Sequence, residues 1–454
     1  MGYLLRRLIY LPLSLLLLSL LCFVLSRATP SDPVEQRMSA EGERGVLSQD
    51  PSAYLARYRR LAAEMHYDLP PFYLTLTNAS LPDTLYRIAP RSHRQLVRQL
   101  ATRYGNWPEV QHYYRAVVQL AYYQPLATEP GIALARRLLL DSSPEQERIL
   151  EVPAYPELTA IREAYAGMVR SPQPGRVLLP RLVWNGTDNQ YHRYLVGMLR
   201  GDFGVSYTDR RSVAGKIARA LPRTALLNGI ALFLVYLLAV PLGMYMARYA
   251  GSIFDRWATL LTFLGFGIPS FWVATLLANF LTTPAFGMDY FPSMGFGDVP
   301  PGVGWWEGVQ IRASHLILPV ACLTYPALAY VARHLRAAAL LQLRQPYVNT
   351  ARMKGLSESQ VLWRHVFRNA AFPLVTLLGG LLPGLLAGSV LIEQIFNLPG
   401  MGRLLFTSAL AQDWPVVTAL VLLNGLVTVI GLWLADVGYV LLDPRLRLGK
   451  RGLR

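Results

Sequence analysis

The sequence predicts an all-α membrane protein, a bundle of six transmembrane helices with a large helical segment inserted between the first and the second. Three observations predict it. Charged residues fill only 16% of the 454 positions and hydrophobic ones 53%, with a mean hydropathy of +0.28; a soluble domain carries about a quarter charged residues. Six apolar runs approach the length of about 20 residues that a bilayer crossing needs. Lys and Arg crowd one side of those runs. The composition excludes intrinsic disorder, which needs low hydrophobicity. The net charge is +16, but its 41 Arg and 3 Lys are strewn between apolar runs. That pattern suits a lipid bilayer and no nucleic acid.

The runs are residues 8–26, 222–247, 257–281, 314–332, 371–392 and 416–442. Several hold Pro241, Gly267, Pro269, Pro319, Pro326, Pro373 or Pro383. Such breakers survive in a bilayer when neighbouring helices supply the lost backbone partners, as in a packed bundle around a pathway. The first run has Arg6 and Arg7 before it and Ser26-Arg27-Ala28 after it, as a signal peptide does. Its apolar part is long for a signal peptide, which favours a retained helix.

Sixteen Lys and Arg flank the runs on the side of the N-terminus, among them Arg248, Arg256, Arg333 and Arg336; the two short loops opposite hold only Arg312 and Arg403. The positive-inside rule then puts both termini in the cytoplasm and residues 28–221 outside. From Arg27 to Arg223 there are 26 basic and 19 acidic residues, but long loops cross largely regardless of charge. The expected division is helix one at 1–27, a mostly helical outer region at 28–190, the core of helices two to six at 191–445 with an inner loop at 333–370, and a basic tail at 446–454.

In the outer segment, apolar residues recur at helical spacing over 92–104, 109–123, 131–140 and 144–150. Ser143-Pro144-Glu145 has the form of a helix start. These stretches predict a small all-helical domain, either a packing insertion or a docking surface for an external partner.

No catalytic constellation emerges. None of Lys216, Lys354 and Lys450 is followed by Ser or Thr, so there is no phosphate-binding Gly-Lys-Ser/Thr loop. His-Glu-x-x-His is absent, the seven His form no ligand cluster, and Cys22 and Cys322 sit in apolar runs. The expectation is no metal and no cofactor. Gly295-Phe296-Gly297-Asp298 resembles an intramembrane aspartyl protease element, but that chemistry needs two facing carboxylates. Asp298 has no partner at its depth, and a turn is the better reading. Ionisable residues bordering the bilayer include His315, Glu393 and Asp436. Glu393 reads as a helix cap and Asp436 as an interhelical hydrogen-bond donor or acceptor.

The inner loop carries the most information. Residues 347–356 read as a short helix stopped by Gly355, and Ser357-Glu358-Ser359-Gln360 opens a second, amphipathic one bearing Val361, Leu362, Val366 and Phe367. A helix–Gly–helix element of this kind suits a groove on a soluble partner. With Thr350-Ala351-Arg352-x-Lys354-Gly355-Leu356 followed by Arg364-His365-x-x-Arg368-Asn369-Ala370, it resembles the EAA loop of binding-protein-dependent ABC transporter permeases. It is most similar to the DppB/OppB-like branch of the dipeptide/oligopeptide/nickel permease family. Gly201-Asp202-Phe203-Gly204-Val205-Ser206, Leu221-Pro222-Arg223-Thr224, Ile268-Pro269-Ser270-Phe271-Trp272, His315-Leu316-Ile317-Leu318-Pro319, Glu393-x-x-Phe396-x-x-Pro399-Gly400-x-Gly402-Arg403 and Asp443-Pro444-Arg445 resemble the family's further motifs, in order. The resemblance covers 1–30 and about 190–447, with an echo at 65–74, and leaves 77–190 as an insertion. Pro346 stands where many relatives have an acid, and Asn349-Thr350-Ala351 replaces Glu-Ala-Ala.

The resemblance implies a non-enzymatic permease subunit of an ATP-driven importer in a bacterial inner membrane, for di- or oligopeptides. Nickel or another small solute is the alternative within transport. A membrane protein whose outer domain binds a partner is the alternative outside it. The implied partners are a homologous second permease (DppC/OppC-like), two ABC ATPase subunits and an extracytoplasmic substrate-binding protein. The implied ATPase-coupling residues are Tyr347, Thr350, Ala351, Arg352, Lys354, Gly355, Leu356, Arg364, His365 and Arg368. Those of the pathway or outer gate are Pro269, Ser270, Phe271, Trp272, Glu393, Phe396, Pro399 and Gly400.

Overall fold

The computed structural model describes residues 2–28, 32–41, 50–124, 128–140, 155–286, 288–292, 294–387 and 389–442. The chain divides into two units, one made of Met1–Ser26, Gly204–Ser206 and Arg211–Arg454, the other of Arg27–Phe203 and Tyr207–Arg210. It begins with α1 (Gly2–Ala28), an uninterrupted helix despite Pro12. Its Leu18 lies against α17, defined below, at Gly425, where any side chain would collide.

The second unit starts with α2 (Pro33–Ala40) and α3 (Pro51–Glu64), each with Pro in its first turn and an Asp side chain, Asp32 or Asp50, capping its free N–H groups. Then comes a strand, β1 (Leu74–Asn78), followed by helices α4 (Arg91–Tyr104), α5 (Trp107–Tyr123), α6 (Glu129–Leu140) and α7 (Thr159–Arg170). The second strand, β2 (Pro180–Trp184), pairs antiparallel with the first, Leu74 opposite Trp184 and Asn78 opposite Pro180. Helix α8 (Gln190–Leu199) ends the unit. The unit is mostly helical, as expected, and it also holds this two-stranded β-ribbon, which the sequence reading did not include. Its Leu-Thr-Leu-Thr alternation is a period-two signal only five residues long, easily lost beside strong helices. The ribbon brings the ends of segment 79–179 together. The helices between pack a core of Leu96, Leu100, Tyr113, Leu138, Ile161 and Met168. Gly105 closes α4 in the left-handed conformation (φ 74°) and passes so close to the Gln173 carbonyl that no Cβ fits. The expected cap at Ser143 and the helix over 144–150 lie outside the described residues, as do Asp443-Pro444-Arg445 and the basic tail.

The other unit continues with α9 (Val213–Arg248), α10 (Ile253–Gly267), α11 (Ser270–Thr282) and α12 (Trp305–Leu343). A helix pair follows: α13 (Pro346–Met353), then a second helix through Glu358–Gln360, a π-wound Val361–Val366 and Phe367–Ala370. The chain ends in α14 (Phe372–Ala387), α15 (Val390–Ile395), α16 (Met401–Leu410) and α17 (Trp414–Leu442). Helices α9 and α12 form the spine. Gly243 of α9 lies so near the Ala332 carbonyl that a Cβ would come within 2.7 Å. Among the described residues, three helices are long and apolar enough to cross a membrane alone, and up to five crossings result if each bent pair is one span.

Two of the six expected runs are not single helices. The run 257–281 is α10 plus α11, bent by 88° at Ile268-Pro269. Pro269 lacks the N–H that would continue α10, and Tyr325 of α12 donates its hydroxyl to the Ile268 carbonyl at 2.8 Å. A neighbouring helix thus supplies a partner at the break, which lets it persist. The run 371–392 stops at Ala387 and resumes as the short α15.

Candidate functional site

Two places gather the residues the sequence singled out. The first is the helix pair after α12. Pro346 sits in the first turn of α13, where its missing N–H costs nothing. Pro346 is thus a helix starter. Gly355 turns the chain at φ 80°, and its N–H reaches the Arg352 carbonyl at 2.9 Å. Ser357 and Gln360 form a reciprocal capping box, 3.4 and 3.2 Å, that launches the second helix. Across the turn, Arg352 clasps Glu358 at 2.9 and 3.3 Å. Tyr347 anchors the start by donating to the Gln342 side chain at 2.9 Å.

The apolar face of this pair is already occupied. Val348, Ala351, Val361, Leu362, Val366 and Ala370 are buried in one cluster with Val235, Ala239 and Met244 of α9 and Val331, Leu335 and Ala339 of α12. Trp363 meets Tyr245 edge-on at 6.4 Å. The apolar side chains Val361, Leu362 and Val366 of the second helix are thus packed within the bundle, and Ala351 is buried with them. Hydrocarbon side chains that can reach the bundle bury themselves there first. Thr350, Arg352, Lys354, Gly355, Arg364 and Arg368 remain outward, with Tyr347, Leu356 and His365 half-buried. Met353, which sequence reasoning passed over, is 81% exposed at the tip.

Beside the pair, Asp255 of α10 takes a two-pronged bond from Arg336 of α12, 2.7 Å on each oxygen, and a third from the Gly251 N–H at 2.9 Å. This fastens the α9–α10 turn to the spine. In the sequence both residues counted only as charge.

The second place is Glu393, fully buried on α15. Thr224 of α9 donates to its Oε1 at 3.0 Å and accepts from the Met401 N–H at 2.7 Å; the Arg403 N–H donates to Oε2 at 2.9 Å. The carboxylate thus sits on the open N–H groups of α16, where the helix dipole favours negative charge. This is the cap the sequence suggested, and it explains the glycines. A Cβ on Gly400 would fall 2.5 Å from both Glu393 and Thr224, and one on Gly402 would strike the Val390 backbone at 2.8 Å. Phe396 is buried, and its carbonyl takes the Gly295 N–H at 3.0 Å. Gly297 in turn presses on Arg312 and His315, leaving Asp298 exposed in the connection before α12.

The expected gate residues thus divide. Glu393, Phe396 and Gly400 are buried structure, whereas Pro269, Phe271 and Trp272 are exposed at the α10–α11 break, with Ser270 and Pro399 half-buried. The two groups lie on neighbouring elements, because Ala274 of α11 shares a core with Ile392 and Phe396.

A second polar knot was not foreseen. Ser206 donates to Asp413 at 2.5 Å, and Lys216 of α9 reaches Ser206 at 2.9 Å and Asp413 at 3.5 Å. Asp413 is buried in the turn between α16 and α17. The available signal was the isolation of Lys216, the first lysine in the chain. Among the described residues no group of three or more His, Cys, Asp or Glu could hold a metal ion, and both cysteines are free and buried. The side chain of Asp436 lies outside the described ones.

The arrangement is one of braces and turns around a helical spine. Residues 239–448 match the family described as binding-protein-dependent transport system inner membrane component. The chain is 34% identical over 258 residues to the oligopeptide transport system permease protein AppB of Bacillus subtilis (strain 168), covering 57% of this chain and 79% of that one. It is 34% identical over 260 residues to the dipeptide transport system permease protein DppB of Lactococcus lactis subsp. cremoris, covering 57% and 80%. A putative peptide transport system permease protein of Brucella abortus (strain 2308) is 38% identical over 265 residues, covering 57% and 79%.

Proposed function

This chain belongs to the family of binding-protein-dependent transport system inner membrane components, and on that premise we propose that it is a peptide permease subunit of an ATP-driven ABC importer. It is a multi-pass membrane protein and not itself an enzyme. The observation that carries the peptide reading is the agreement of several relatives, each covered over more than two thirds of its length, all named for peptide transport.

The finer assignments follow from chemistry. ATP hydrolysis falls to separate subunits, two ABC ATPases, that meet the exposed tip Thr350–Gly355. A homologous second permease completes the pathway, and a binding protein on the outer side delivers the peptide. Both termini and the 344–371 helix pair face the cytoplasm, and 28–221 faces out, in line with the Lys/Arg asymmetry. ATP shifts the bundle between inward- and outward-open states only through unequal affinity of the ATPase pair for the two. The helix pair is suited to pass that difference on, because it shares one buried core with α9 and α12.

The test uses two surface changes. Gly355 has open space beside it and Met353 is exposed, so Gly355→Asp and Met353→Asp alter the tip without invading the core. We expect membrane insertion to persist and ATPase copurification and peptide uptake to be lost. Unchanged copurification with both variants removes the tip from its assigned role. A cysteine-accessibility label that finds residue 355 outside the cell overturns the proposed orientation.

A further inference from the structure

The span made of α10 and α11 leaves main-chain groups unpaired at its middle. The apolar run 257–281 has residue 269 at its centre, so the break at Ile268-Pro269 falls near the middle of the bilayer. The Ile268 carbonyl is taken by the Tyr325 hydroxyl, and the Pro269 carbonyl by the Trp272 and Val273 N–H groups at 3.1 and 3.3 Å. The Gly265 carbonyl has lost its helical donor, because Pro269 carries no N–H. Among the described residues, the Phe266 and Gly267 carbonyls and the Ser270 and Phe271 N–H groups find no partner either. Gly267 has open space beside it, and Ile268 and Pro269 are exposed. Unpaired main chain at this depth persists only where protein covers it or where it lines a water-filled cavity.

The side chains of α11 point the same way. Thr275 and Asn279 are exposed one turn apart, on the helix face that begins with Phe271 and Trp272 at the break. Thr275 returns its hydroxyl to the Phe271 carbonyl at 2.8 Å, the usual shelter of a threonine in an apolar helix. An asparagine amide has no such shelter, and turning it toward hydrocarbon is costly. The exposed large side chains of α10 are of the other kind. Trp257, Leu260, Leu261, Phe263 and Leu264 are all apolar and suit lipid.

We propose that this face of α11, with the break at its head, lines the translocation pathway and holds the main chain of the transported peptide. The inference rests on the peptide-permease reading above and names the chemistry of its pathway. Peptides of different sequence have one thing in common, a main chain in which each residue other than proline offers an N–H donor and a C=O acceptor. The open carbonyls at 265–267 and the open N–H groups at 270 and 271 are the complementary set. The Asn279 side chain adds a donor and an acceptor of the same kind. Phe271, Trp272, Thr275 and Asn279 include no ionisable group, so the face does not select a peptide by its charge. Water satisfies the same groups when no peptide is there.

The experiment uses the whole transporter, both permeases with their ATPases, in nanodiscs. Labelling is read on this chain by mass, where Cys22 and Cys322 are buried. Thr275→Cys and Asn279→Cys are expected to react with a charged, membrane-impermeant thiol reagent, whereas Leu260→Cys and Leu261→Cys stay unlabelled. Trialanine at millimolar concentration should slow the reaction of Thr275→Cys severalfold, and trialanine methylated on its main-chain nitrogens should not. Asn279→Leu should lower uptake of a labelled tripeptide about tenfold, the loss of one hydrogen bond, with ATPase copurification unchanged. Positions 275 and 279 as inert as 260 and 261 would place the face against lipid or protein and overturn the proposal. Equal protection by both trialanines, or protection by neither, overturns main-chain recognition, as does full uptake by Asn279→Leu. Failure of the unaltered transporter to import any peptide removes the peptide reading itself, and with it the ligand named here; the labelling contrast then still decides whether the face lines the pathway.

Discussion

Gly400 shows how much one missing methyl group decides. It lets the Glu393 carboxylate and the Thr224 hydroxyl reach the α16 terminus together. Gly400→Ala places a Cβ 2.5 Å from both oxygens, so they must retreat; such overpacking costs about 1–3 kcal/mol. A lowered thermal midpoint of the detergent-purified chain is the expected reading, and an unchanged midpoint contradicts the close approach. A second residue-scale prediction concerns His93, buried between Tyr114 and Tyr122 at 3.3 and 3.4 Å. Burial pushes its imidazole down to about 4. The unfolded chain takes up a proton near pH 6.5, and the folded one resists until about 4. The stability contributed by neutral His93 is therefore complete above about pH 6.5 and is lost as pH falls through about 4, on the order of 3 kcal/mol in all. Protection of the α4 and α5 amides, taken relative to intrinsic exchange at each pH, should fall over that window, and His93→Leu should flatten the dependence. At this scale the motif around Glu393 was legible, because its glycines and acid lie within ten positions. Thr224 and Asp413 were not, because their partners lie 169 and 207 residues away in sequence.

Among the elements, the helix pair after α12 shows what local sequence signals specify and what they leave to the neighbours. Pro346, Gly355 and Ser357 announce its start, turn and restart through local backbone chemistry that needs no tertiary information. Which side turns inward depends on what else is near, and α9 and α12 claim the apolar side. Leu362→Asp should therefore unfold the pair, exposing Arg352 and Lys354 to limited proteolysis, whereas Met353→Asp should leave the cleavage pattern unchanged. A buried charge without a partner costs several kcal/mol, and one at an exposed tip almost nothing. Similar digestion of both variants contradicts the burial described. The bend at Pro269 teaches the same limit. A proline marks a breaking point, but whether the helix kinks or turns through 88° depends on a donor such as Tyr325 on another helix.

On the scale of the whole molecule, runs of apolar residues alternate with a long stretch of ordinary composition, and the structure divides into two units. The β-ribbon was not legible in the sequence, and it alters how the insertion is understood. Asn78 faces Pro180, so the helical segment between them leaves and returns at one point. Replacing 79–179 with a two-residue Asn-Gly turn should accordingly close a hairpin and leave the bundle able to insert and to retain its ATPase. The cost should appear around Tyr58 and Leu61, which pack with Ala89 of the removed segment. Loss of membrane insertion in this variant contradicts the independence of the two units.

The two polar knots share one further property. Glu393 with Thr224 pins the front of α16, and Asp413 with Ser206 and Lys216 pins the turn behind it, both to the first turns of α9. A plank nailed at both ends to the same beam has no freedom of its own. The beam runs on from Thr224 to Met244 in the core of the helix pair, about 30 Å at the rise of an α-helix. A push at one end of this continuous helix is carried toward the other, past the single interior Pro241.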